Sequence, residues 1–115
     1  MAGLLISNDL FFANSLCQRA AMAGKSLVMR SREAALEGDA SSEPVTLLLI
    51  DLASLGAESE SAVAALRAQY PAARMVAFGP HVHEALLEAA QRAGCDEVLT
   101  RGQMNQQAGR FIALL

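Results

Sequence analysis

Two periods alternate along the chain. Short apolar runs of the kind that fill a strand give way to stretches in which apolar residues recur every three or four positions, as on one face of a helix. GLLIS (3–7) predicts a first strand, and the stretch from about Asp9 to Ala23 a helix with Phe12, Leu16, Ala20 and Ala23 on one face. Gly24 closes it, a common residue just past a helix end. SLVMR (26–30) predicts a second strand, more polar and suited to a sheet edge, and SREAALEG (31–38) gives one or two helical turns. DASSEP (39–44) is a loop by composition, with Pro44 barring a helix. VTLLLID (45–51) runs without a polar break to Asp51, the pattern of a central parallel strand covered on both faces. ESESAVAALRAQYP (58–71) contains a helix with Val63, Leu66 and Tyr70 in phase. RMVAF (74–78), VHEALLEAAQRAG (82–94), DEVLT (96–100) and a last helix from about Met104 to Leu115 complete the series.

Strands alternating with helices through short connections predict βαβ crossovers, a parallel sheet and helices on both faces. The expected architecture is a single α/β domain, 1–115, built as a three-layer sandwich. Composition narrows the function. The hydrophobic fraction is 53% but only 4% of residues are aromatic, so Leu, Val, Ile, Met and Ala must build the core. Met22, Met29 and Met75 fit that role as core filling. A net charge of −3 with scattered Lys and Arg offers no basic face for nucleic acid and no polybasic run for a membrane surface. No apolar run approaches the roughly 20 residues that span a bilayer, and Asp9 comes too early for a signal peptide. Cys17 and Cys95 lie in apolar patterns without metal or redox spacing, Cys17 as a buried, inert thiol, and a cytoplasmic setting is expected.

In open parallel sheets ligands bind outside the carboxyl ends of the strands. The residues there are Ser7-Asn8-Asp9, Asp51, Gly79-Pro80-His81 and Arg101-Gly102. In LLISND, LLLIDL and VAFGPHVHEALLEAAQRAGCDEVLTRG the chain resembles the receiver domain of two-component response regulators, CheY-like proteins. That resemblance covers essentially the whole chain. It implies a flavodoxin-like fold with a five-stranded parallel sheet of order 2-1-3-4-5, and a signalling role without enzymatic activity.

By the resemblance, Asp51 stands at the phosphoacceptor position. Asp9 keeps one acid of the Mg²⁺-binding pair and Asn8 replaces the other. Gly79 stands where a switch Ser or Thr is expected, so no hydroxyl is present there. Arg101 stands for the family's lysine, and Gly102 for the proline after it. DEVLT also lacks the aromatic that the hydroxyl would move. Each position has a plainer reading. Asn8 and Asp9 suit a helix cap, Asp51 suits a strand meeting water, Arg101 a surface ion pair with Asp51 or solvent, and His81 and His83 are ordinary surface residues rather than a metal pair.

The expectation is a stand-alone receiver-like module, a pseudo-receiver with an eroded phosphorylation site and no cofactor or only weakly bound Mg²⁺ at Asp9, Asp51 and Asn8. It would act on a protein partner, a histidine kinase or a downstream effector. Helical phase leaves Leu87, Leu114 and Leu115 partly exposed where the fourth helix, fifth strand and last helix meet, which suits a homodimer through that face. The alternative is a working receiver phosphorylated at Asp51 with Mg²⁺. A nucleotide-binding domain is disfavoured, because no glycine-rich phosphate loop follows any strand.

Overall fold

The computed structural model describes residues 2–37 and 44–115. Most of the expected 39–44 loop, residues 39–43, lies outside them. The elements run β1 (Ala2–Ile6), α1 (Leu10–Met22), β2 (Leu27–Arg30), α2 (Arg32–Leu36), β3 (Val45–Asp51) and α3 (Leu52–Leu55). A 3₁₀ turn (Gly56–Glu58), α4 (Ser59–Gln69), β4 (Arg74–Gly79), α5 (Glu84–Arg92), β5 (Glu97–Thr100) and α6 (Arg101–Ile112) follow. All strand pairs are parallel, in the order β2-β1-β3-β4-β5, as expected.

The side-chain period of a strand explains the two cores. Leu4, Ile6, Leu48, Ile50, Met75 and Ala77 point to the layer formed by α2 to α5. The alternate residues Leu5, Leu47, Leu49, Val76 and Phe78 point to α1 and α6. A strand buried on both faces has no polar position to alternate with, so VTLLLID reads as one apolar run. β2 lies at the sheet edge, where its half-buried Val28, Met29 and Arg30 are tolerated.

Three expectations need correction, and one helix is additional to those expected. The four residues after Asp51 form α3, with the Asp51 carboxylate accepting from the Ala53 N–H at its start. The last helix begins at Arg101, three residues before the expected Met104. Thr100 caps it, accepting from the Gln103 N–H (3.1 Å) while the Gln103 side chain accepts from the Thr100 N–H (2.9 Å). Met22 is 89% exposed, since it falls on the side of α1 away from the buried Ala13, Leu16 and Ala20. Cys17 is half-buried, not buried. Met75 is fully buried and Met29 half-buried. Among the described residues, no helix is long and apolar enough to cross a membrane.

Candidate functional site

The register brings the candidate residues to one rim. Asp51 pairs with Phe78 and Gly79 with Thr100, while Ile6, the last residue of β1, pairs with Ile50. The residues that follow β1, β3, β4 and β5 therefore meet at the carboxyl end of the sheet, beside the β1/β3 switch point.

Asp51 is buried, 2% exposed. A buried carboxylate must find donors to replace water, and it has three. The Ser7 hydroxyl donates to Oδ2 at 2.9 Å, the Ser54 hydroxyl lies 3.2 Å from the same oxygen, and the Ala53 N–H donates to Oδ1 at 3.2 Å. Ser54 stands equally close to Asn8. It accepts from the Asn8 backbone N–H and reaches the Asn8 side-chain oxygen Oδ1, both at 2.9 Å. A hydroxyl carries one proton, so Asp51 and Asn8 share the Ser54 donor.

Asp9 does a different job. It caps α1, with Oδ1 accepting from the Phe12 N–H at 3.1 Å and Oδ2 gripped by Arg101. The Phe12 N–H first, and then Arg101, hold its carboxyl below the usual carboxylate range. Arg101 also lies 4.3 Å over the Phe12 ring, whose centroid is 5.3 Å from that of Phe78. Its Nη1 comes only to 4.0 Å from Asp51 Oδ2. The expected ion pair with Asp51 is therefore the looser of two, and Asp9 is the principal partner.

Sequence reasoning placed Ser7 at the rim without a role and missed Ser54. Ser7 sits one residue beyond β1 with its side chain turned inward, a signal present in LLISND but overshadowed by the acid two residues on. Ser54 depends on α3, which the sequence did not reveal. Gly79 closes β4, and a Cβ there would meet Leu87 Cδ2 at 3.4 Å and Leu52 Cβ at 3.6 Å, ordinary contacts. His81 and His83 lie exposed in the turn before α5. Among the described residues no group of three or more His, Cys, Asp and Glu is placed to hold a metal ion. Beside Ser7, Asn8 and Ser54 opens a polar cleft of about 440 Å³ that extends to Ser31, Arg32 and Glu58. Arg32 bridges Glu58 and Glu33 across its rim.

The three leucines expected on one exposed face are divided. Leu87 reaches over Gly79 at the carboxyl end of the sheet, whereas Leu115 packs near Gly3 at the amino end, with Leu114 beside it 56% exposed.

The whole chain superposes on solved receiver structures. A CheY-like receiver domain protein from Methanospirillum hungatei matches with a TM-score of 0.75 over 98% of this chain and 94% of its own, at 13% identity. The fold is that of response-regulator receiver domains. A response regulator from Burkholderia pseudomallei, with a phosphorylated aspartic acid and a calcium ion, matches this receiver fold with a TM-score of 0.74 over 98% of this chain and 71% of its own, at 20% identity. A putative pilus assembly protein from Burkholderia thailandensis shares it along the full length of both chains, with a TM-score of 0.71 and 20% identity. No family model and no curated protein matches the sequence. At the carboxyl end of this sheet two serines and an asparagine stand around one buried aspartate.

Proposed function

We propose that this chain is a receiver-like signalling module that works through protein contacts, with its aspartate site kept as a structural knot instead of a phosphoacceptor. The observation that carries the reading is the state of Asp51. Both oxygens of its carboxylate are engaged by the chain's own donors, two hydroxyls and a backbone N–H, in a site that is 2% exposed. Nucleophilic attack on a phosphoryl donor needs a carboxylate oxygen that the donor can reach and a metal ion to offset the charge.

The donor set fits Mg²⁺ poorly. Hard Mg²⁺ wants one or two carboxylates with waters in near-octahedral geometry. Asp51 is taken up by Ser7, Ser54 and the Ala53 N–H, and Asp9 is committed to the helix cap and to Arg101. Ser7 and Asn8 contribute neutral oxygens. A weak Mg²⁺ site or none is therefore part of the proposal. The readout side supports it too: Gly79 brings no hydroxyl, and β5 (EVLT) brings no aromatic. The likeness to a putative pilus assembly protein agrees with a receiver fold employed in assembly contacts.

A second reading keeps Asp51 as an acceptor, favoured by the polar cleft beside it and by the phosphorylated aspartic acid of the B. pseudomallei structure. Intact mass and thermal unfolding with acetyl phosphate and Mg²⁺, beside Asp51→Asn, decide between them. The proposal expects no adduct and no rise in Tm with Mg²⁺. An adduct on the native chain that Asp51→Asn lacks establishes a working receiver.

A further inference from the structure

Arg101 is held more firmly than its place at the end of a strand requires. It is the first residue of α6, and its guanidinium is engaged by three groups. Nη2 bonds Oδ2 of Asp9, the residue that caps α1. The guanidinium carbon lies 4.3 Å from the centroid of the Phe12 ring, which is itself backed by Phe78 of β4. Nη1, on the other arm of the fork, stands 4.0 Å from Oδ2 of Asp51 at the end of β3.

This set of contacts suits an arginine. A guanidinium is planar, weakly hydrated and carries donors on separate arms, so it can stack on a ring while facing two acids. An ammonium offers one charged point. The Asp51 carboxylate has need of such a neighbour. At 2% exposure it has little water to spread its charge, and the groups bonded to it, Ser7, Ser54 and the Ala53 N–H, are all neutral. A charge 4.0 Å away acts on it far more strongly there than it would across open water. A divalent cation at this rim would serve the same two carboxylates. The guanidinium reaches both already, and it repels a second cation brought between them. The poor fit to Mg²⁺ then has a cause beyond the count of donors.

We propose that Arg101 is the resident cation of this rim, taking the electrostatic place of a metal ion beside Asp9 and Asp51 and so tying α1, β3 and α6 together without one. The inference rests on Asp51 being a structural knot, and adds which residue closes the site to metal. With Arg101 gone, Asp9 Oδ2 is released, and the Ser7 and Ser54 hydroxyls can rotate off Asp51. The two carboxylates are then open to Mg²⁺, which binds through one or two of them while keeping several waters.

The test is thermal unfolding of the full chain against MgCl₂, with NaCl at matched ionic strength as control, for the native protein, Arg101→Gln and Arg101→Gln/Asp9→Asn. Asparagine still caps a helix, so the double variant loses the charge and keeps the start of α1. The expected result is a lowered Tm in Arg101→Gln that MgCl₂ raises saturably, with a dissociation constant at least about tenfold below that of the native chain. The double variant should lose that response. Circular dichroism checks folding. Should Arg101→Gln not fold, Arg101→Met takes its place, because its stem still covers the Phe12 ring. A variant that responds no more than the native chain, or a response that Asp9→Asn leaves intact, overturns the proposal. No phosphodonor is present, so these outcomes are separate from the acetyl phosphate adduct that would overturn the knot at Asp51.

Discussion

Ser7 donates to a carboxylate that is almost completely buried, so its loss is felt through the partner it leaves behind. Ser7→Ala should cost about 1–2 kcal/mol, the desolvation penalty of an acceptor short of a donor, measured as a shift in urea midpoint. Ser7→Asp should lower stability further, by placing two carboxylates together, and millimolar Mg²⁺ should restore it. No rescue by Mg²⁺ would show that more than one missing acid keeps the metal out. Cys95 offers a pH test. Burial pushes its thiol up from about 9 to about 11. A group whose folded pKa is raised stabilises below its unfolded value and loses that contribution as pH climbs through the folded one. Urea stability should therefore decline from about pH 9 towards pH 11, and Cys95→Ala should flatten the decline. At this scale the sequence was partly legible. Asp9 as a cap and Asp51 at a strand end follow from local rules. Which of Ser7, Asn8 and Asp9 turns inward depends on the phase of a single residue at the exit of β1, and that phase is set by the pairing of strands far apart in sequence.

Among the elements, the corner of α4, β4 and α5 depends on one side chain. Arg67 donates to the carbonyl oxygens of Pro71 (3.0 Å), Ala73 (3.0 Å) and Gly94 (3.2 Å) and to the Asp96 carboxylate (3.1 Å), which in turn accepts from the Met75 N–H (2.8 Å). Gly94 is needed beside it. Its φ is +124°, and a Cβ there would stand 3.1 Å from Arg67 Cγ. Arg67→Ala should destabilise by about 2–3 kcal/mol, the scale for hydrogen bonds to a charged group, and Arg67→Lys should recover little, because a point ammonium cannot reach acceptors on several sides. Recovery by lysine in denaturant titrations would assign the effect to charge alone. Long elements were legible because periodicity needs length to register: thirteen residues of α1 and the unbroken run of β3 leave little choice. α3 has four residues, too few for a period. The start of α6, Arg101-Gly102-Gln103, contains no apolar residue, and its signal was instead the Thr100/Gln103 cap.

Across the whole molecule, order of protection should follow position in the sheet. β3 and β4 are fully buried over most of their length and flanked on both sides, whereas β2 and β5 form the edges. Native-state hydrogen exchange should find the slowest amides in β3 and β4 and faster exchange in β2 and β5. Uniform protection across all five strands would mean that the sheet opens only as a unit. The two helical layers were legible as soon as the alternation implied right-handed crossovers, whereas the strand order came from the resemblance to receiver domains. The pairing of charges was not legible, since Arg101 and Asp9 lie 92 residues apart and nothing local in the sequence couples them.

The space at Gly79 carries a last consequence. A Cβ there would touch Leu87 and Leu52 at ordinary contact distances, and Gly102 has open room around it. The five-stranded sheet of a receiver fold is in place, and both glycines stand at its carboxyl rim. A side chain can therefore be added at Gly79 or Gly102 without moving the backbone, which makes this rim a place where polar groups can be installed one at a time and each weighed as it is added.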